Sequence, residues 1–379
     1  MLTVYDLEMF YRGLTGHPFV ALTDILDIAK AVGEVSTAVG TAVYNQVYGA
    51  LVWTQLNQEA NAFGMLPKTT WVRSGWRVKK AFATSEDNIG IAETGTLPEA
   101  VRPEIDIVRA SPKVETVTFE VSDVVEALAT MSVDDIWGSV NQVRAEMGVE
   151  FAKYLNRQLL KKNTEAEGAG YKLESIDRIV GSYDEKVNCA GTGTVNIYNL
   201  DRDSGASWAD AVVLHNSGTN RELTDALIRE LLMETKAKGA NTNVLLTGYD
   251  TYAKIQGIYT TFIRYMPMSE AQVQFGLNGI QTVTGSDVGI KVAALYGIPL
   301  IQSVDCAKDG IARIYALDTT DTEGYGLPRL ALSVVRPVEY FETREFLLLN
   351  KYVIKGAYRF IGETVARGIA YQGKLRDIV

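Results

Sequence analysis

Apolar and polar positions along the chain change period repeatedly, and each change marks a different kind of element. After the capping pair Thr23 and Asp24, the run Ile25, Leu26, Ile28, Ala29, Val32, Val35, Ala38, Val39, Ala42, Val43, Val47 and Leu51 has helical spacing. Its small, dense apolar positions predict a helix, or a pair broken near Gly33 or Gly40, covered on more than one side. Gly64 and Pro67 punctuate its end. Two extended arms follow, residues 71–80 and 105–121. In the second, Val114, Thr116, Thr118 and Glu120 alternate with Glu115, Val117, Phe119 and Val121, the period of a half-buried strand. The polar, Gly-rich segment 84–103 between the arms carries Pro98 and Pro103, and Pro112 follows in the second arm. These prolines bar a central-strand role and favour a projecting loop. Structureless connections rarely exceed about 12–15 residues without a function, and this tip is longer. A hairpin of this reach cannot bury both faces on its own domain, so a neighbouring molecule is expected to cover it.

The period then returns to helical. Ser132, Asp134 and Asp135 open a run in which Ile136, Val140, Val143, Met147, Phe151, Leu155 and Leu159 form one stripe, predicting a helix over 132–162. At about 1.5 Å per residue such a helix spans on the order of 45 Å. Beyond it lies a stretch containing Gly168, Gly170, Gly181, Gly191 and Gly193. Residues 219–239 read as an amphipathic helix capped by Thr219 or Asn220 and stopped by Gly239. Residues 243–247 read as a buried strand and 248–261 as the start of another helix. A Gly-Ile-Pro corner at 297–299 and a strand over 310–318 come next. Residues 330–341 and 346–373 read as successive strands rich in Val, Ile, Tyr and Phe.

Composition narrows the function classes. The 379 residues are 47% apolar and 22% charged, enough for two or three packed domains. A net charge of −9 argues against a polycationic nucleic-acid binder. Cys189 and Cys306 cannot build a disulfide framework and read as small buried hydrophobes. No basic leader with an apolar core opens the chain and no stretch approaches a membrane span, so a soluble protein of a reducing cytoplasm is expected.

Candidate chemistry is sparse. His17 and His215 have no acidic or cysteine partner at ligand spacing, and no GxSxG, GxxxxGK[ST] or HExxH motif occurs. The glycines at 168–171 and 191–194 do not join a strand to a helix, so they read as turns rather than phosphate loops. The pairs Asp134/Asp135 and Glu86/Asp87 read as a helix start and an exposed tip. Trp71, Trp76 and Phe82 beside Arg73, Arg77, Lys79 and Lys80 fit either single-stranded nucleic acid or a protein surface. The acidic chain favours protein.

The order of hairpin, long helix and α/β body resembles the major capsid proteins of tailed bacteriophages and related archaeal viruses, the Hong Kong 97-type fold that encapsulin shells share. The segments 71–80 with 90–122 look like the E-loop and its return strand, and 132–160 like the spine helix. Residues 243–256 and 294–303 look like axial-domain elements, and 344–375 like the closing strands. The resemblance implies an α+β fold with an N-terminal arm (1–67), an E-loop hairpin (68–121), a peripheral domain (122–175 and 335–362) and an axial domain (176–334 and 363–379). It implies a structural, non-enzymatic protein without cofactors or metals, assembling as pentamers and hexamers into an icosahedral shell. That shell would enclose double-stranded DNA without sequence-specific binding, in a virion capsid assembled in the host cytoplasm. Portal, scaffold or decoration proteins are further candidate partners. The implied assembly contacts on the E-loop are Trp71, Arg73, Trp76, Arg77, Lys79, Lys80, Glu93, Glu99 and Arg102. Some members join an E-loop Lys to an Asn beside a Glu. Lys79 or Lys80 and Asn350 match the pair, but Ala357 stands at the Glu position, so no cross-link is expected. An encapsulin-type nanocompartment is the alternative within the fold, and a Gly-rich α/β enzyme or a nucleic-acid-binding module the alternatives outside it.

Overall fold

The computed structural model describes residues 61–81, 93–95, 102–131, 138–162, 171–189, 196–200, 202, 207–263, 270–273, 290–321, 324, 326–344 and 351–379. The expected helices of residues 23–51 and most of the hairpin tip lie outside them. The chain divides into two compact units, one of residues 1–58, 116–152 and 338–360, the other of 59–115, 153–337 and 361–379.

The larger unit is built on a seven-stranded mixed sheet. Its strands are β5 (Val212–Leu214), β6 (Val244–Thr247), β7 (Glu270–Val273), β8 (Ile290–Leu295), β9 (Ile298–Gln302), β10 (Ile314–Leu317) and β13 (Gly373–Leu375), in the order β5-β13-β10-β6-β9-β8-β7. Central β6 and β10 are buried at every position, which explains their largely apolar runs Val-Leu-Leu-Thr and Ile-Tyr-Ala-Leu, with the Thr247 hydroxyl bonded to Arg313 O. Helix α6 (Asp225–Ala237) turns Ile228, Leu231 and Thr235 inward, at the spacing that keeps side chains on one face. The helix starts at Asp225, later than the expected cap at Thr219 or Asn220, and ends as expected before Gly239, whose φ is +89°. Helix α7 (Tyr249–Ile263) follows β6. The Gly-Ile-Pro corner is a tight hairpin. Tyr296 (φ 54°) and Gly297 (φ 79°) form the two-residue turn between β8 and β9, the positive-φ pair that matches the twist of paired strands.

The smaller unit gathers a separate core. Phe119 and Val121 of β4 (Lys113–Ser122) pack with Val125 and Leu128 of α2 (Asp123–Met131), Val140 and Val143 of α3 (Val140–Leu160), and Ile354 of β12 (Val353–Ala366). Burial along β4 follows the alternation expected from sequence, with Glu115, Phe119 and Val121 inward. The expected second arm is not one strand. It divides into β3 (Glu104–Arg109) and β4 around Ser111 and Pro112, and β4 joins the sheet β1-β11-β12-β4, with β1 at Lys68–Thr70 and β11 at Leu330–Thr343.

The long helix also begins later than its apolar stripe suggests. Residues 132–137 lie outside the described residues, and α3 starts at Val140 after Gly138, whose φ is +125°. Ser139 Oγ accepts from the Gln142 amide at 3.4 Å, and Gln142 Oε1 accepts from the Gly138 and Ser139 amides. This reciprocal capping box fixes the start, and Glu126 accepts from the Val140 amide at 2.7 Å. At 21 residues the helix runs about 32 Å rather than 45 Å.

A buried ionic network seats β13. Arg313 donates to both Asp177 oxygens at 2.8 Å and to Asp309 at 2.8 Å. Lys374 lies 3.2 Å from Asp177 and 2.9 Å from Glu185, and Arg376 meets Glu185 at 2.7 Å. Tyr315 donates to Asp177 at 2.9 Å. Paired, hydrogen-bonded charges are the condition under which such groups tolerate burial.

Candidate assembly surface

The hairpin base is an antiparallel ribbon of β2 (Gly75–Ala81) and β3, with Trp76 opposite Val108, Arg77 opposite Ile107 and Lys79 opposite Ile105. Opposed residues share a face, so the ribbon has two distinct sides. One carries Trp76 and fully buried Val108. The other carries Arg77, Lys79, Arg109, Ile105 (54% exposed) and Ile107 (45% exposed).

The inner side is clamped to a loop of its own unit. Trp76 meets Tyr198 edge-on at 5.4 Å between ring centres. Asn199 takes the Arg109 amide on its side-chain oxygen and donates to Ile107 O at 3.1 Å. Tyr198 has a positive φ of 55°, held because its hydroxyl donates to Thr364 O at 2.6 Å and accepts from the Ala366 amide. Arg202 anchors the same loop by donating to the carbonyls of Arg178, Ile179 and Ala209. Its burial brings the guanidinium down to about 10.

Among the expected contacts, half-buried Trp76 packs against Tyr198 of its own chain. Lys80 likewise turns to its own ribbon, 3.0 Å from Asp106 and 3.6 Å from Glu104. Its hydrogen bond to Asp106 raises the ammonium pKa and lowers that of the carboxyl. Trp71 is half-buried and donates its amide to Val334 O at 2.9 Å. Arg73, Arg77, Lys79, Glu93 and Arg102 are exposed, while Glu99 lies outside the described residues, as do Asn350, Phe82 and His17. Ile105 and Ile107 were not singled out in sequence, although their alternation with Asp106 and Val108 in EIDIV is the signal that places them on the exposed side.

Lys79 and Lys80 also line a cavity of about 340 Å3 with Trp208, Lys238, Arg367 and Tyr371. No carboxylate lines it among the described residues, and burial lowers the Arg367 pKa. In the smaller unit, Val338 (47%) and Phe341 (46%) stand exposed on β11. Arg359 stacks over Phe341 at 4.5 Å while paired with Glu339 at 2.8 Å, which leaves an amphipathic strand surface.

Ribbon, long helix, mixed sheet and long paired strands together make up the Hong Kong 97-type fold of capsid and encapsulin shell proteins, an α+β architecture. The particular likenesses are to solved structures. The capsid of cyanophage A-1(L) aligns with a TM-score of 0.60 at 15% identity, covering 91% of this chain and 99% of that one. The capsid of a native GTA particle aligns at 0.51 and 13%, covering 90% and 97%. The holo-SrpI encapsulin complex of Synechococcus elongatus PCC 7942 aligns at 0.50 and 11%, covering 91% and 96%. No family model and no curated protein matches the sequence.

Proposed function

We propose that this chain is a non-enzymatic structural subunit that assembles with copies of itself into a closed shell. The observation that carries the reading is the outer side of the β2/β3 ribbon. Two isoleucines stand about half exposed among three cations on a clamped ribbon, in a chain with a shell-protein fold. Burying large apolar side chains contributes about 1.5–3 kcal/mol each when complete. Two half-exposed isoleucines with a few neighbours supply several kcal/mol per contact before ordering costs. Contacts of that size reverse individually, so errors correct, and become collectively stable once a shell closes.

In this reading the ribbon and tip are the E-loop, lying over the next copy, and residues 1–67 form an arm that clasps neighbours. Residues 122–175 and 335–362 form the peripheral domain, and 176–334 and 363–379 the axial domain around which pentamers and hexamers form. The shell is icosahedral and holds double-stranded DNA, with portal, scaffold or decoration proteins as partners. It forms in the host cytoplasm and ends as a virion capsid. The likeness to an encapsulin favours a second reading, a nanocompartment holding a protein cargo.

Negative-stain microscopy of concentrated, purified protein tests the proposal. Closed particles are the expected result, and nuclease-protected DNA inside them separates the capsid from the cargo shell. The double variant I105D/I107D is expected to stay folded by circular dichroism yet form no particles. Wild-type protein that remains a compact monomer at every concentration overturns the proposal.

A further inference from the structure

The larger unit brings together three residues that sequence spacing gives no reason to associate. Cys189 follows α5 (Tyr183–Asn188), His215 follows β5 and Asp377 follows β13, yet their ligand atoms all lie within 4.8 Å of one another. Cys189 and Asp377 are buried, and the His215 side chain is 11% exposed. We propose that Cys189, His215 and Asp377 bind a single divalent zinc-class ion and thereby pin three distant segments of the chain together.

The donor set selects the metal. One thiolate, one imidazole and one carboxylate suit Zn2+, whereas Mg2+ and Ca2+ take oxygen donors. Tetrahedral Zn–S and Zn–O bonds of about 2.3 and 2.0 Å hold sulfur and oxygen about 3.5 Å apart. Here Cys189 Sγ points its proton at Asp377 Oδ2 across 3.9 Å, so the ion takes the place of that proton after a contraction of a few tenths of an ångström. One proton leaves the thiol to solvent on binding.

The surroundings orient each donor. His215 Nε2 meets Asp184 Oδ2 at 2.6 Å, and the other Asp184 oxygen accepts from Asn188 at 2.6 Å. A carboxylate on one imidazole nitrogen fixes the tautomer and leaves the other nitrogen as a lone-pair donor, the outer arrangement metal-binding histidines use. His215 Nδ1 is that donor; without the ion its single lone pair accepts the Ser217 amide at 3.3 Å, a hydrogen bond that metal binding displaces. Asp377 Oδ1 accepts from Arg376 at 2.9 Å, which leaves Oδ2 toward the cysteine. The Asn216 and Gly218 amides steady Oδ2 at 2.9 Å. Three protein ligands leave one position for water.

Titrating the tag-free, chelator-washed full chain with Co2+, a spectroscopic stand-in for Zn2+, tests the site. Expected are one equivalent per chain, intense visible bands of tetrahedral Co2+ and a near-ultraviolet sulfur-to-cobalt charge-transfer band, all bleached by Zn2+. C189S is expected to abolish the charge-transfer band, and H215Q to weaken binding at least tenfold, with both variants keeping the wild-type far-ultraviolet dichroism. A wild-type chain that takes up no Co2+ or Zn2+ at a modest excess overturns the proposal. So does a charge-transfer band that survives in C189S, or an affinity unchanged in H215Q.

Discussion

Asp177 shows how much one buried carboxylate organises in this protein. It is fully buried and accepts from Arg313, Tyr315 and Lys374. D177N leaves those cations short of a counter-charge, and removing one partner of a buried pair costs about 3–5 kcal/mol. Urea denaturation of the variant is expected to show that loss. Glu363 behaves in the opposite sense. It takes the amides of Glu174 and Thr364 on one oxygen, but burial pushes its pKa well above 4.5. An acid raised on folding binds protons that the unfolded chain has already lost, so stability falls as pH rises above about 4.5. E363Q keeps an acceptor for both amides and removes that penalty. Thermal melts are expected to show E363Q more stable than wild type at neutral pH, with the advantage vanishing below about pH 4.5. None of this was legible in sequence, because Asp177 and Arg313 are 136 positions apart and nothing local marks them as partners. The same reason hid the meeting of Cys189, His215 and Asp377.

Periodic elements were far more legible than irregular ones. The alternation in β4, the buried run of β6 and the inward stripe of α6 follow directly from the order of apolar residues. Starts were less legible, since apolar spacing does not stop where a helix does. The stripe from Ile136 onward hides the break at Gly138, although the spacing Ser139-x-x-Gln142 marks it. Helix α2 went unread for want of length, at nine residues directly after a strand. Close packing between strands is invisible to pattern altogether. A Cβ placed on Gly356 of β12 would lie 2.3 Å from Phe119 Cζ, so that glycine makes room for a core ring. G356A is expected to cost about 1–3 kcal/mol, read as a lower midpoint in chemical denaturation, with F119L restoring part of the loss.

Across the whole molecule, sequence indicated the architecture through the order of its parts, whereas which side of the ribbon is exposed needed coordinates. Tryptophan and cations drew attention to the ribbon in sequence; the structure shows Trp76 against Tyr198 and leaves Ile105 and Ile107 exposed on the opposite side. Growth by many weak contacts has a signature of its own. Sedimentation is expected to show only small species below a threshold concentration, with all further protein above it appearing in particles that persist on dilution. One feature of the larger sheet bears on when this can begin. Strand β13 lies between β5 and β10 and brings Lys374 and Arg376 to acids that are otherwise buried without them. Everything it pairs with leaves the ribosome earlier, so a nascent chain holds an unfinished sheet until residues 373–376 emerge. Folding of the larger unit thus completes only when β13 takes its place between β5 and β10.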